Sequence, residues 1–244
     1  MYKISFISVT LNNKVGLERT LNSYIRFKEK YYNSELIIID GLSSDGTKSF
    51  LDKNSNIIDY FLSEKDLGIY DAMNKGIKLF SGDFVCFMNS GDEILVEGMV
   101  DLVSNLKVGY CHSGKVVWDS EINSFNYLNY QPLLLRLPIH QAMVIHKELI
   151  HFFDLKYPIA SDIDQKLNIV NTGRLINHNI LVAKCESGGI SQSINSSGDL
   201  FLRANEIFQI ANKHFGVLIG ILNYFKFIIW HSYKLIKSQK RFNK

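Results

Sequence analysis

The sequence has few cysteines and no large excess of either charge. Only 3 cysteines occur in 244 residues, at Cys86, Cys111 and Cys185. Their odd number and wide spacing fit neither a disulfide framework nor a zinc site, so we expect a reducing compartment. With 27 Lys and Arg against 24 Asp and Glu, the net charge of +3 is too small to indicate a nucleic-acid partner.

Long apolar runs are also lacking. The amino terminus begins directly with a strand-like pattern and has no small-residue cleavage site, so the sequence predicts a cytoplasmic protein without a secretory signal. Near the carboxyl terminus, Asn223, Lys226 and His231 interrupt an apolar stretch that is shorter than the ~20 residues needed to span a bilayer. The composition, 46% hydrophobic and 21% charged, is typical of a globular protein with one substantial core.

The first 95 residues alternate between short apolar runs and segments of helical periodicity. Four strands are predicted, at residues 4–9, 35–40, 60–63 and 84–88. Strands that are apolar on both faces and separated by helices indicate an α/β fold, with a Rossmann-like, mostly parallel sheet flanked by helices. Acidic and polar residues follow the strands, and ligands of such sheets bind at the carboxyl ends of the strands. We therefore expect a ligand site at this edge.

Two common nucleotide motifs are absent from this edge. The first predicted strand is not followed by the G-x-G-x-x-G pattern of dinucleotide-binding proteins. Gly41 and Gly46 have the spacing of a phosphate-binding loop, but Thr47-Lys48 reverses the required order and Asp45 would repel a phosphate. The remaining acidic loops suit recognition of a base and ribose by carboxylates, with a divalent ion screening a diphosphate.

Four blocks in order resemble the family 2 glycosyltransferases with the GT-A fold. They are Ser-Val-Thr at 8–10, Ile-Asp-Gly-Leu-Ser-Ser-Asp-Gly-Thr at 39–47, Asp-Leu-Gly-Ile-Tyr-Asp-Ala-Met-Asn-Lys-Gly at 66–76, and Asn-Ser-Gly-Asp at 89–92. The resemblance is to the branch that assembles O-antigen, capsule and colanic-acid-type polysaccharides. It implies a GT-A domain over residues 1–200, with a nucleotide-binding half at 1–95 and an acceptor half at 96–200. A helical segment at 201–244 completes the expected organisation.

The resemblance also implies the donor-binding residues. The nucleotide would contact Thr10, Asn12, Asp40, Ser43 and Asp71. Among them, Asp40 resembles the acid that holds the uracil ring, and Asp71 resembles the acid beside the base and ribose. The alternative interpretation of Asp40 and Asp45 is turn formation and helix capping.

A metal site is implied by the last block. Asp92 takes the place of the last acid of the family's DxD motif, which coordinates Mg²⁺ or Mn²⁺ on the donor diphosphate. Asn89 replaces the first acid of that motif, and an amide oxygen is also a ligand for a hard cation.

The segment around Ala160 resembles the family's catalytic-base motif. Ser161 stands where the first acid often lies, so the expected base is Asp162, with Asp164 as the second choice. A helix cap is the alternative role for Asp162. His140 and Gln141 occupy the place that lines the acceptor or diphosphate side in related enzymes, although a buried histidine bonded to backbone would have the same sequence.

The implied activity is inverting transfer of a hexosyl or N-acetylhexosaminyl group from a UDP-sugar. The acceptor would be a hydroxyl of a saccharide, on undecaprenyl diphosphate, in bacterial surface polysaccharide biosynthesis. Two alternatives stay open: a noncatalytic partner that binds nucleotide sugars, and a sugar nucleotidyltransferase. The latter typically has a Gly-rich, basic loop after the first strand, where this chain offers only Lys14 and Gly16.

The carboxyl-terminal segment is predicted to be helical. Its apolar residues between Leu218 and Trp230 precede a basic end with Lys234, Lys237, Lys240, Arg241 and Lys244. Such a helix either lies in the membrane interface, at the inner face of the plasma membrane, or packs in a core or dimer with a solvated basic end.

Overall fold

The computed structural model describes residues 1–118, 121–123, 137–186 and 197–242. Four strands form the parallel part of its sheet, in the order β3-β2-β1-β4. They are β1 (Ile4–Thr10), β2 (Ser34–Asp40), β3 (Tyr60–Ser63) and β4 (Phe84–Phe87). Every residue of β1, β2 and β4 is buried, as expected for strands covered on both faces. The predicted positions of the four strands are confirmed.

Helices cover both faces of these strands. They are α1 (Lys14–Lys30), α2 (Thr47–Lys53) and α3 (Ile69–Leu79). Because successive side chains of a strand point to opposite faces, Phe6 packs with Leu17 of α1 on one side, and Ile7 packs with Met73 of α3 on the other. The sheet therefore separates two apolar cores, and its carboxyl edge is left for the loops.

The rest of the sheet is mixed. Its order continues from β4 as β8-β6-β9-β5, with β7 paired to β6. The elements are β5 (Glu93–Ile94), α4 (Val96–Ser104), β6 (Cys111–Trp118), β7 (Glu121–Asn123), β8 (Met143–His146), α5 (Ser161–Asn171) and β9 (Leu175–Cys185). β8 is antiparallel to both β4 and β6, whereas β9 is parallel to β6. The sequence indicated the α/β class but not these antiparallel pairings, since short buried strands look alike in either direction.

A buried carboxylate stabilises the amino ends of the strands, opposite the polar loops. Glu35 accepts hydrogen bonds from Ser5 Oγ (2.6 Å) and from the Ser81 N–H (2.7 Å) and hydroxyl (2.8 Å). Lys3 Nζ lies 2.5 Å from Oε2 of the same carboxylate. Burial opposes the ionisation of Glu35, but the bonds from Lys3, Ser5 and Ser81 outweigh it and lower its pKa to about 2.

Two further helices follow, α6 (Ser197–Phe215) and α7 (Val217–Phe242). They form a second compact unit, while the sheet forms the first. Gly216, with φ of 88°, makes the turn between the two helices. The predicted helical segment is confirmed, and the division at residue 200 stays a prediction. No helix in the described ranges has the length and apolarity to cross a bilayer.

Candidate active site

The ends of three parallel strands meet at Asp40. Register aligns Thr10 with Asp40 and Asp40 with Ser63. The Asp40 carboxylate is fully buried and accepts bonds from Ser63 Oγ (2.6 Å), Ser43 Oγ (2.5 Å) and the Ser43 N–H (3.2 Å). The turn-forming role of Asp40 is therefore present in the structure, and its contact with uracil stays a prediction. Beside it, Thr10 Oγ1 is buried without a hydrogen-bond partner in the described residues.

Asn12 links the loop after β1 to the loop after β2 by hydrogen bonds. Its backbone adopts a φ of 51°, which asparagine tolerates better than most residues. Its N–H donates to Ser43 Oγ (2.7 Å), and its Oδ1 accepts from the Ser44 N–H (2.8 Å). In the same loop Asp45 accepts bonds from the N–H and hydroxyl of Thr47, the first residue of α2. These bonds fit the turn-forming interpretation of Asp45, whereas the cap position of α2 is occupied by Gly46.

Asp71 lies in the first turn of α3. Its Oδ2 accepts a hydrogen bond from the Leu67 N–H (3.0 Å) and lies 3.6 Å from Lys75 Nζ. Lys75 also pairs with Glu64, in the loop after β3. Asp71 is only partly buried, so a ligand above the strand ends can still reach it.

Asp92 accepts hydrogen bonds from three donors, one in its own loop and two from distant parts of the chain. They are the Asn89 N–H (3.1 Å), Gln141 Nε2 (2.9 Å) and the Glu186 N–H (2.9 Å). The Thr20 hydroxyl of α1 donates a hydrogen bond to the Asp92 carbonyl oxygen (2.8 Å) and so holds the backbone of this loop. Burial raises the pKa of Asp92 to about 6, although these hydrogen bonds favour the charged form.

The donor set around Asp92 fits a divalent cation that takes most of its ligands from a substrate. Asn89 Oδ1 is buried and has no hydrogen-bond partner in the described residues. No cluster of three or more His, Cys, Asp or Glu side chains suited to a metal occurs among those residues. One carboxylate and one amide oxygen suit an ion that is also bound by phosphates and water, as Mg²⁺ usually is.

Asp162 lies in the first turn of α5, whose cap position is occupied by Ala160. Its Oδ1 lies 2.9 Å from the Tyr70 hydroxyl, and its Oδ2 lies 2.6 Å from Lys166 Nζ. Burial opposes the ionisation of Asp162, but the charge of Lys166 and the bonds from Lys166 and Tyr70 hold its pKa below the usual value. The carboxylate bonds to side chains of the site, so capping does not explain its position.

Asp164 is separated from this group by the helix geometry. Residues two apart on a helix do not face each other, so the Asp164 side chain points in a different direction from that of Asp162. It is also buried. Ser161, which takes the place of the family's first acid, has a buried hydroxyl without a hydrogen-bond partner in the described residues.

The turn at His140–Ala142 bonds to Asp92 and lies near Asp162. Gln141 donates to Asp92, while the neighbouring His140 ring packs 4.7 Å from Phe87 and 5.8 Å from Phe153 between ring centres. Burial lowers the pKa of His140 to about 4, opposed by the nearby Asp162 charge, so the ring is neutral at physiological pH. Its Nε2 is buried and has no hydrogen-bond partner in the described part of the chain.

Sequence reasoning missed three residues that contact this site. Tyr70 stands next to Asp71 in the third block, so its position carried a usable signal. Lys166 is four residues after Asp162, the spacing at which helical side chains form ion pairs. Glu186, which pairs with Arg19 and donates its N–H to Asp92, has no local signal because its partners are far away in sequence.

The family model described as "Glycosyl transferase family 2" matches residues 5–162, more than half of the chain. The matched region runs from the first strand to the carboxylate on α5, and it includes both Asp92 and the turn at His140. The chain belongs to glycosyl transferase family 2. The resemblance of the four blocks is thereby confirmed at the level of the family.

Curated relatives agree with this family. The chain is 34% identical over 116 residues to the "GalNAc(5)-diNAcBac-PP-undecaprenol beta-1,3-glucosyltransferase" of Campylobacter jejuni, covering 46% of this chain and 37% of that protein. It is 39% identical over 89 residues to an uncharacterized glycosyltransferase of Mycobacterium tuberculosis, covering 36% and 34%. The matches thus span only about a third of the length of these relatives. A "PGL/p-HBAD biosynthesis glycosyltransferase" of Mycobacterium bovis is 27% identical over 78% of this chain and 79% of its own.

Solved structures show the same GT-A fold. S. aureus TarS 1-349 superposes with a TM-score of 0.67 at 19% identity, covering 92% of this chain and 72% of that one. Its complex with UDP-GlcNAc gives 0.64 at 18% identity, covering 87% and 71%. A mannosyltransferase from Pyrobaculum calidifontis, solved with GDP-Man and Mn²⁺, gives 0.65 at 14% identity, covering 93% and 70%. At these identities the likeness establishes the fold, and the predicted fold class is confirmed.

Proposed function

We propose that this glycosyltransferase moves a hexosyl or N-acetylhexosaminyl group from a UDP-sugar to a saccharide hydroxyl, with inversion at the anomeric carbon. The observation that carries the proposal is the turn at His140–Ala142. It bonds to Asp92, at the expected diphosphate position, and lies near Asp162, at the expected acceptor position. A direct displacement needs a leaving-group site and a base on opposite sides of the transferred sugar, and this turn bonds to Asp92 through Gln141 and lies near the charge of Asp162 at His140.

The donor nucleotide would lie over the carboxyl ends of β1, β2 and β3. Thr10, Asn12, Asp40 and Ser43 would surround the base, and Asp71 would face the ribose. Thr10 contributes a buried hydroxyl that is free to bond a ligand. The hydrogen bonds among Asn12, Asp40 and Ser43 fix the loop in advance, so little ordering is needed when the donor binds.

Asp92 and Asn89 would hold Mg²⁺ or Mn²⁺ on the donor diphosphate, and such an ion supplies charge neutralisation for the departing UDP. Gln141 keeps the carboxylate oriented, and Asp92 must be ionised to act as a ligand. Its burial disfavours that form in the free protein. The single carboxylate therefore predicts weak cation binding until the diphosphate is present.

Replacing Asn89 with aspartate is expected to tighten Mn²⁺ binding in the presence of UDP by about tenfold, because affinity rises with the charge of the ligands. Without the cation, the new carboxylate beside Asp92 should lower the melting temperature through like-charge repulsion. Free Mn²⁺ measured by electron paramagnetic resonance gives the affinity. Asn89→Ala is the matched control, since the backbone bond to Asp92 survives in both variants, and it should weaken binding instead. Equal affinities in the two variants would remove Asn89 from the metal site.

Asp162 would accept the proton of the acceptor hydroxyl as that oxygen attacks the anomeric carbon. Lys166 and Tyr70 bond to separate oxygens of the carboxylate, and each oxygen keeps a second lone pair for the acceptor. The same contacts keep the carboxylate ionised at neutral pH. Tyr70 also lies 2.9 Å from the Ile159 carbonyl oxygen, so its single proton serves one acceptor at a time. Both residues are positioning residues in this account.

The acceptor is proposed to be a saccharide on a lipid carrier such as undecaprenyl diphosphate, in bacterial surface polysaccharide biosynthesis of the O-antigen or capsule type. The Campylobacter jejuni relative supports this choice, since its name contains a PP-undecaprenol saccharide. A lipid carrier would place the reaction at the inner face of the plasma membrane.

Product analysis distinguishes the three candidate classes of protein. The purified chain, Mn²⁺ and a panel of UDP-sugars should release UDP slowly by hydrolysis, and faster with a saccharide acceptor. A nucleotidyltransferase would instead release pyrophosphate from UTP and a sugar 1-phosphate. A noncatalytic partner would bind a UDP-sugar, seen as a rise in melting temperature, without forming either product. Either of these last results would overturn the proposed activity.

A further inference from the structure

Helix α7 presents an apolar stripe away from its partner helix. The stripe consists of Leu218, Ile221, Leu222, Phe225 and Ile229, at i, i+3, i+4, i+7 and i+11, so the five side chains share one helix face. All five are exposed, between 41% and 68%. A globular helix usually turns such a face toward the core, so this orientation needs a partner.

The opposite face of α7 is the one that packs. Gly220 and Asn223 are buried there. A methyl group added at Gly220 would lie 3.0 Å from Phe208 of α6, so the two helices approach closely at this point. The Asn223 amide donates to the Ile219 carbonyl oxygen at 3.0 Å. Packing against α6 thus fixes the rotation of α7 and leaves the apolar stripe on its outer side.

The charge of this part of the chain favours an anionic partner. Residues 207–244 contain seven Lys and Arg and no Asp or Glu. Lys226 and Trp230 lie on α7 next to the stripe, and Trp230 is 51% exposed. Apolar residues bordered by cations and a tryptophan are typical of helices that lie in the interface of a bilayer. The same region of a second copy of the chain would offer no acidic side chain to pair with these cations.

We propose that the stripe of α7 docks this protein on a bilayer that contains anionic lipids, with α7 parallel to the surface. The apolar side chains would enter the boundary between headgroups and acyl chains, and the basic residues would bind lipid phosphates. Docking itself does not depend on the proposed function. Its purpose does, since docking would bring the active site to a lipid-linked acceptor.

Vesicle flotation of the full chain tests the docking directly. Binding to phosphatidylcholine vesicles that contain phosphatidylglycerol should be strong and should weaken with salt, and binding to phosphatidylcholine alone should be weak. The double variant Leu218→Glu/Phe225→Glu should bind at least ~10-fold less. The control Asn205→Glu/Asn212→Glu adds the same charge at the same spacing on exposed positions of α6, and should lose much less. A loss of equal size in the control would show that net charge alone is responsible.

A second variant and a fluorescence measurement test docking even if the glutamate pair disturbs the packing of α6 and α7. Leu218→Ser/Phe225→Ser removes apolar area without adding charge and should also weaken binding. In a Trp118→Phe background, Trp230 is the only tryptophan, and its emission should shift to shorter wavelength on anionic vesicles. The proposal is overturned if wild type binds neither vesicle, or if light scattering shows a dimer that the Leu218 and Phe225 changes dissociate.

These measurements separate docking from donor chemistry. The vesicle assay contains no nucleotide sugar, and hydrolysis of UDP-sugars in solution should be the same in wild type and Leu218→Glu/Phe225→Glu. Failure of docking with intact UDP release would reject the surface alone. Failure of UDP release with intact docking would reject the proposed activity alone.

Discussion

Replacing Asp162 with asparagine is expected to lower the rate of sugar transfer by about 1,000-fold, in the range that a lost general base costs. Asparagine keeps the shape of the side chain but cannot accept the proton of the attacking hydroxyl. The affinity for UDP should stay close to that of wild type, because the expected nucleotide contacts lie at the other strand ends. Turnover by UDP release and UDP affinity by calorimetry check both parts.

Asp164→Asn is the matched control, since it makes the same change two residues along the same helix. It should retain most of the activity, because residues two apart on a helix point in different directions. Asp162→Asn also leaves Lys166 without its anion, so turnover is compared below the melting temperature of each variant. Undiminished turnover in Asp162→Asn, or a loss confined to Asp164→Asn, would contradict the assignment of the base.

Replacing Glu35 with glutamine is expected to cost roughly 2–3 kcal/mol of unfolding free energy at neutral pH. The folded-state pKa of about 2 lies below the usual 4.5, so the stability from ionised Glu35 is complete above pH 4.5 and is lost as the pH falls toward 2. The glutamine variant has no such titration. Urea unfolding should therefore show a gap between the two proteins that closes over this acidic range.

Glu29→Gln on α1 provides the control for that measurement. Glu29 is exposed, so its replacement should change stability by less than about 0.5 kcal/mol at any pH. A pH-independent gap for Glu35→Gln would show that the loss comes from packing and not from the ionised group. UDP affinity should be unchanged, since Glu35 lies at the amino ends of the strands, away from the polar loops.

The parallel half of the fold follows from local pattern. Each of its strands is a short apolar run bounded by turn residues, and the loop acids after β2 and β4 were visible without structural knowledge. Glu35 shows the limit of this approach. A charge in an apolar strand suggests an exposed edge, yet it is buried because Lys3 and Ser81, remote in sequence, meet it at the sheet end.

Only part of the candidate site could likewise be predicted from the sequence. The blocks that contain Asp40, Asp71 and Asp92 carry their order in the sequence, whereas the contact between Gln141 and Asp92 joins residues 49 apart along the chain. The resemblance placed Gln141 on the acceptor or diphosphate side, but nothing in the local sequence predicted its bond to Asp92. The bond between Tyr70 and Asp162, 92 residues apart, could not be predicted from the local sequence for the same reason. Long-range side-chain contacts of this kind depend on how the antiparallel strands close the sheet.

The anomeric configuration of the released sugar tests the central claim most directly. Because water can replace the acceptor, the measurement needs only the purified chain, Mn²⁺ and an α-linked UDP-sugar, followed by proton NMR before the free sugar equilibrates. Attack directed by Asp162 from the face opposite the diphosphate should give the β-anomer first, and Asp162→Asn should give almost none. Initial release of the α-anomer by wild type would contradict a single displacement with Asp162 as its base.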